Sequence, residues 1–284
     1  MKTEISTSVA MVTGAASGLG KELATQLAAM NYTVVCVDYN ADGLRALEAE
    51  LKAASRSAHC VQTNIVERED VVALMQRVND VYGRLDLLIN NAGVMHRFSR
   101  IDRLGREFAE RVFDVNFWGT TNMTLEALPL LRKSKAPLLV NVASIGAVLP
   151  TIGQGFYGAS KAASVQLTRA LALELEKEDI DVMLVFPGAM DTNIFENSQH
   201  TEGDESHKEM VGALKSGKSS QRWMMTPAVA ARRIVSSLDS RPRRLFVGID
   251  AKLLGLMNRV MPETTTRLFA KVMRNAPAMG DALK

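Results

Sequence analysis

The chain has 284 residues, 47% apolar and 23% charged, a balance that suits a folded soluble domain and excludes extensive disorder. With 34 Lys and Arg against 31 Asp and Glu the formal net charge is +3, too slight for a nucleic-acid binder, which would carry a basic stripe with interleaved aromatics. Two cysteines, Cys36 and Cys60, lie in apolar strand-like runs and read as reduced core residues of a cytoplasmic protein rather than as a disulfide.

Residues 9–13 form a short apolar run that stops at Thr13-Gly14-Ala15-Ala16-Ser17-Gly18-Leu19-Gly20. A helical pattern follows at once, with Leu23, Leu27 and Met30 on one face. Strand, glycine turn and helix is the arrangement in which bare backbone N–H groups and a helix N-terminus meet a phosphate. A plain tight turn is the alternative, but it wants one glycine rather than three. A strand that begins this early leaves no room for a signal peptide, and no apolar run reaches the ~18 residues of a membrane span. The next strand, 33–37, ends in Asp38, 24 residues beyond Gly14. A carboxylate there accepts hydrogen bonds from an adenosine ribose and repels a 2′-phosphate. No arginine follows in Asp38-Tyr39-Asn40, which favours NAD(H) over NADP(H); a strand-end cap is the other reading of Asp38.

Helix and strand then alternate: helix 41–54, strand 58–62 leading to Asn64-Ile65, helix 67–82, and strand 85–89 ending in Asn90-Asn91-Ala92-Gly93. Small residues there let the chain pass close to a cofactor, and asparagine side chains can tie strands together. One long helix, 102–132, carries Asn116; strand 136–143 delivers Ser144; helix 159–176 follows; and strand 181–186 stops at Pro187-Gly188. This alternation predicts one Rossmann-type, doubly wound α/β domain: a parallel sheet with helices on both faces and ligands beyond the carboxyl ends of its strands. Each residue singled out sits at such an end or opens the helix after it.

The stretch Tyr157-Gly158-Ala159-Ser160-Lys161 places its first and last residues four apart, on one helical face. A tyrosine titrates near 10, too high for easy proton exchange near neutrality, and a lysine ammonium on the same face favours the phenolate. Ser144 can offer a hydroxyl to the oxygen that the tyrosine protonates. Taken alone, the pair reads as a half-buried tyrosine beside a solvated lysine; the glycine turn at the other end of the chain reverses that reading.

Thr13-Gly14-x-x-x-Gly18-x-Gly20, Asn90-Asn91-Ala92-Gly93, Asn116, Ser144, Tyr157-x-x-x-Lys161 and Pro187-Gly188 together resemble the motif set of short-chain dehydrogenases/reductases of the non-extended branch. The likeness runs from Val9 to about Thr192. It implies Tyr157 as general acid or base, Lys161 lowering its pKa and bonding the nicotinamide ribose, and Ser144 holding the substrate oxygen. It further implies Asn116 positioning a water behind Lys161, Asp38 on the adenosine ribose, Asn91 against the cofactor and Thr192 at the carboxamide. Two departures are Asn64-Ile65, where the family commonly has an acidic residue beside the adenine, and Ala189-Met190-Asp191-Thr192 after Pro-Gly. The resemblance also implies a homodimer or homotetramer paired through the helices of Asn116 and Tyr157.

The segment 189–225 reads as a substrate loop or lid. Met190, Ile194, Phe195, Trp223, Met224 and Met225, with Val94, Met95, Leu149 and Phe156, either line an apolar pocket or simply pack on the sheet. His200 and His207 share no ligand spacing with their acidic neighbours, so no metal is expected. Helix 226–238, with Thr226 as cap and Pro227 in its first turn, and strand 244–247 close a seven-stranded sheet. The extension 250–284 reads as two amphipathic helices broken at Pro262. Leu253, Leu254, Met257, Leu268, Phe269, Val272 and Met273 supply one face; Lys252, Arg259, Arg267, Lys271 and Arg274 supply the other. Packing on a partner subunit or over the substrate opening is expected ahead of a membrane surface. The activity expected is the NAD(H)-dependent interconversion of an apolar secondary alcohol and its ketone. A non-catalytic dinucleotide sensor and a membrane-surface lipid reductase stand as alternatives.

Overall fold

The computed structural model describes residues 8–190 and 224–274. Seven parallel strands run β1 (Val9–Thr13), β2 (Thr33–Asp38), β3 (Ala58–Gln62), β4 (Leu87–Asn90), β5 (Leu138–Val142), β6 (Asp181–Pro187) and β7 (Arg244–Val247). In space their order is β3-β2-β1-β4-β5-β6-β7, so the winding reverses between β1 and β4 and opens a crevice at the carboxyl ends of those two strands. Side chains of β1 alternate between two cores. Ala10 and Val12 pack with Leu23, Leu47 and Ile234 on one face, and Val9 and Met11 pack with Leu74, Met123 and Leu171 on the other. Because both faces are covered, the strands are continuous apolar runs rather than alternating ones. Cys36 and Cys60 are free and stand opposite each other in the β2–β3 register.

The helices are α1 (Gly18–Ala29), α2 (Ala41–Ala53), α3 (Arg68–Tyr82), α4 (Arg106–Phe113), α5 (Thr120–Leu131), α6 (Gly155–Glu174), α7 (Pro227–Val235), α8 (Ile249–Val260) and α9 (Pro262–Arg274). Thr226 caps α7 by accepting the Val229 N–H, with Pro227 in the first turn, and Pro262 opens α9, both as the pattern predicts. No helix among the described residues is long and apolar enough to cross a membrane.

Two elements differ from the pattern. The single helix expected over 102–132 is a 3₁₀ turn at Ile101–Arg103, then α4, a π-helical turn at Asp114–Gly119, and α5. The wide turn carries the Asn116 carbonyl to the Ser164 hydroxyl of α6, which donates to it at 2.8 Å. At its end the backbone of Gly119 lies against Ile65, whose side chain a Cβ would meet at 2.7 Å. Such turns form where a tertiary contact outweighs the regular ladder, which periodicity does not show. The second difference is the start of α6 at Gly155, four residues before the expected 159, so Tyr157 lies in its first turn.

Candidate active site

The β1–α1 turn is shaped by glycine. Gly14 and Gly18 have φ of +68° and +54°, which L side chains rarely adopt, and a Cβ on Gly20 would come within 1.9 Å of the Gly14 carbonyl. Ser17 precedes α1 in extended conformation, and its side chain makes no bond to the first turn, so it does not occupy the N–H groups there. Leu19 is buried and anchors the turn to the core. Across the crevice, Thr13 Oγ1 accepts from both Asn91 N and Ala92 N at 3.0 Å, and Asn91 Nδ2 donates to the Thr13 carbonyl at 3.0 Å. The Asn91 side-chain amide and backbone N–H are thus both spent on holding the end of β4 against the turn.

Asp38 Oδ2 accepts from Ala16 N and Oδ1 from Asn40 N, each at 2.9 Å. The carboxylate is therefore fixed against the glycine turn, the strand-end role that Asp38 was also expected to fill. Asn64 Oδ1 accepts from Val66 N at 3.2 Å in a local turn, and Ile65 is buried, with its carbonyl accepting from Asn122 Nδ2 at 3.1 Å. Pro187 ends β6, and Gly188 N donates to the Val247 carbonyl at 2.9 Å. Thr192 lies outside the described residues, as do Ile194, Phe195, Trp223, His200 and His207.

Ser144 follows β5 in extended conformation, its Oγ accepting from Gly146 N at 3.1 Å and standing close enough to the Tyr157 phenol to act on it. Lys161, one turn along α6, is buried and donates to the Val142 carbonyl at 3.1 Å. Gly93 completes the group: a Cβ there would lie 3.0 Å from Lys161 Nζ and 3.1 Å from Asn116 Oδ1. Four segments separated in sequence thus converge on one spot, and the solvated-lysine alternative is not what the fold shows. The expected lowering of the tyrosine pKa is not met. Burial raises the Tyr157 phenol, only partly countered by its Ser144 hydrogen bond, and the same burial brings Lys161 down from 10.5 to about 8. The lysine ammonium is desolvated before it is electrostatically effective, a cost that spacing on a helix does not reveal.

Asn116 is wholly buried and fully engaged. Its Oδ1 accepts from Val94 N at 2.8 Å, while Nδ2 donates to the Val94 carbonyl at 2.9 Å and to Ser160 Oγ at 3.0 Å. It clamps the segment after Gly93 to the helix of Tyr157. Beneath it a buried ladder links β4, β5, α5 and α6: Asn90 Nδ2 donates to Thr124 Oγ1 (3.0 Å) and Asn141 Oδ1 (2.9 Å), and Asn141 Nδ2 donates to Thr168 Oγ1 (2.8 Å). This is the strand-tying role expected of asparagine.

Three site residues had no sequence signal. Asp250 Oδ2 accepts from Ala189 N at 2.7 Å and so fixes the chain after Pro187-Gly188. His96 and Gln154 are both buried, with Gln154 Nε2 donating to the His96 carbonyl at 3.0 Å. His96 Nδ1 contacts the acceptor-only Arg97 carbonyl at 2.6 Å and therefore carries the proton, which leaves Nε2 and Gln154 Oε1 as acceptors without a donor among the described residues. Of the apolar candidates, Leu149 and Met95 belong to the buried packing, whereas Val94, Phe156, Met190, Met224 and Met225 stay partly open.

A parallel sheet with a glycine turn at its switch point and a Ser–Tyr–Lys group beside it defines a dinucleotide-binding oxidoreductase. Residues 8–203 match the family model described as short chain dehydrogenase. The uncharacterized oxidoreductase YxnA of Bacillus subtilis is 30% identical over 268 residues, 93% of this chain and 72% of that protein. A short-chain dehydrogenase from Streptomyces avermitilis, 30% identical, superposes with a TM-score of 0.75 over 96% of this chain and 99% of its own. The 3-ketoacyl-(acyl-carrier-protein) reductase of Brucella melitensis, solved with NADH, is 28% identical, with a TM-score of 0.70 over 84% of this chain and 96% of its own. The chain belongs to the short-chain dehydrogenase/reductase family.

Proposed function

We propose that this protein is an NAD(H)-dependent reductase or dehydrogenase that interconverts an apolar secondary alcohol and its ketone, of steroid, lipid or xenobiotic type, with Tyr157 moving the proton. The observation that carries this reading is the convergence of Ser144, Tyr157 and Lys161 beside the glycine turn, with the Ser144 hydroxyl next to the phenol. The turn fits a dinucleotide, since its positive-φ glycines and the bare first turn of α1 suit a pyrophosphate. Gly14, Ser17, Gly18, Leu19 and Gly20 would hold that group. Asp38 would take the ribose, Asn64 and Ile65 the adenine side, and Asn91, Ala92, Gly93, Pro187, Gly188 and Thr192 the nicotinamide half. When bound, the nicotinamide supplies or accepts the hydride. Tyr157 donates its phenol proton to the carbonyl oxygen, and burial keeps it in the protonated form that this step requires. The Ser144 hydroxyl bonds the same oxygen, and the Lys161 ammonium stabilises the phenolate left behind. Asn116 keeps Lys161 and Gly93 in register.

Support for NAD comes from the surroundings of Asp38. Ala15, Ala16 and Ser17 carry no cation, Lys21 is paired with Glu50 at 2.7 Å, and Arg45 with Asp42. The NADH-bound Brucella relative points the same way. Val94, Phe156 and the three open methionines support an apolar substrate. Trp118, Leu125 and Leu173, at least half exposed on the turn and helices around Asn116 and Tyr157, support a homodimer or homotetramer, and we place the enzyme in the cytoplasm. The test follows nicotinamide absorbance with NADH and NADPH against a panel of apolar ketones and steroids. Turnover should favour NADH, and Tyr157→Phe should lower it about 10²-fold or more. A Tyr157→Phe enzyme that keeps its turnover refutes the mechanism; saturable NADH binding with no turnover on any substrate favours the sensor reading instead.

A further inference from the structure

The α8–α9 pair is not used by the chemistry above. One face of α8 is anchored: Ala251 is buried, Gly255 abuts the Phe246 ring, and Asn258 Nδ2 donates to the Val148 carbonyl at 3.0 Å, just beyond Ser144. On the opposite face, spaced as one helical stripe, stand Ile249, Leu253, Leu256 and Val260, which are 68%, 56%, 62% and 68% exposed. The expected packing is therefore only half realised. Leu254 and Met257 turn inward, while Leu253 points away from the domain with three apolar neighbours. Met261 and, on α9, Leu268 and Val272 are also about half exposed or more.

Cations border it. Lys252 and Arg259 flank the stripe on α8, and Arg267, Lys271 and Arg274 share a face of α9 beside Leu268 and Val272. Among the described residues none of these five has an ion-pair partner, whereas Arg45, Arg68, Arg100, Arg106, Arg132, Arg241 and Arg243 each have one. The acidic residues on these two helices are Asp250, already bonded to Ala189 N, and Glu263. At the foot of the stripe, Arg233, Ser236, Ser237, Ile249 and Lys252 line a cleft of about 320 Å³, enough for a phosphate headgroup.

We propose that α8–α9 dock the protein on an anionic lipid bilayer, with the apolar stripe in the interface, the five cations at the headgroups, and a lipid phosphate between Arg233 and Lys252. An apolar ridge bordered by unpaired cations is the pattern of an in-plane interfacial helix. A second copy of the chain would bring like rows of cations together across the two-fold axis, and a nucleic acid would leave the ridge exposed. Asn258, on the opposite face of α8, keeps the loop after Ser144 on the domain side of the docked helix. The docking does not rest on the enzymatic reading.

The full chain is co-sedimented with vesicles of phosphatidylglycerol and phosphatidylcholine and with vesicles of phosphatidylcholine alone, at low and high salt. The variants are Leu253→Ser/Leu256→Ser and Lys252→Gln/Arg267→Gln/Lys271→Gln. Binding should be about tenfold or more tighter to the anionic vesicles, weaken with salt, and fall about tenfold in either variant, while NADH affinity and thermal midpoint stay unchanged. Should the serine variant lose its fold, the glutamine variant and the salt dependence carry the same test. The proposal is overturned if the wild type does not pellet with anionic vesicles, or if neither variant changes its binding. It is also overturned if the serine change instead dissociates an oligomer in sedimentation velocity, or if the cations prove to bind duplex DNA and not vesicles.

Discussion

Lys161→Met should make the protein more stable while abolishing turnover. An ordinary lysine titrates at 10.5 and Lys161 at about 8, so holding it charged in the fold at pH 7 costs about 3 kcal/mol relative to the unfolded chain. Against this stands one hydrogen bond, to the Val142 carbonyl at 3.1 Å, worth about 1 kcal/mol. Methionine keeps most of the apolar stem, so the expected net gain at pH 7 is about 2 kcal/mol. The sign sets the pH dependence. The folded pKa lies below the unfolded one, so between about 8 and 10.5 the unfolded chain holds the extra proton and wild-type stability rises with pH. The advantage of the variant is therefore complete below about pH 8, shrinks above it, vanishes about 1.5 pH units higher, and gives way to a wild-type lead of about 1 kcal/mol near 10.5. Urea unfolding of both proteins at pH 7 and at alkaline pH, with m-values compared, measures this directly. A variant no more stable than wild type at pH 7, or a difference that does not change with pH, would refute the desolvation argument.

Asn116→Ala removes three hydrogen bonds, to Val94 N, the Val94 carbonyl and Ser160 Oγ, while keeping a good helix former. The urea midpoint should report a loss of about 3 kcal/mol, and a loss below about 1 kcal/mol would mean that the clamp is not what holds the Gly93 segment. Asp250→Ala frees Ala189 N, which it holds at 2.7 Å, and so loosens the chain after Pro187-Gly188. Steady-state kinetics should show KM for the nicotinamide cofactor rising severalfold with kcat less affected, at about 1 kcal/mol of stability; an unchanged KM would refute this role.

Much of the protein was decided by local pattern. The apolar strand runs, the caps at Thr226 and Pro227 and the break at Pro262 depend on a few adjacent residues, and the structure repeats these within a residue or two, while helix ends drift further. The glycine turn was equally legible, because a φ of +68° at Gly14 is a demand that glycine alone meets without strain. The alternation of elements predicted the parallel sheet and so placed Asp38 and Ser144 at strand ends, with Tyr157 opening the helix that follows.

Tertiary structure alone decided how those residues spend their polar atoms. Asn91 turned to Thr13, Asn64 closed a local turn, Asp38 gripped Ala16, and Asn116 locked onto Val94 through a π-helical turn that no periodicity announces. Asp250, His96 and Gln154 joined the site from segments that the motifs do not span. Burial likewise moved the Tyr157 pKa up and the Lys161 pKa down, against the expectation from their spacing, and left the stripe of α8 facing outward. The reason is the same in each case. Backbone conformation follows from neighbours along the chain, whereas desolvation and hydrogen-bond partnership are set by every element that packs around a group.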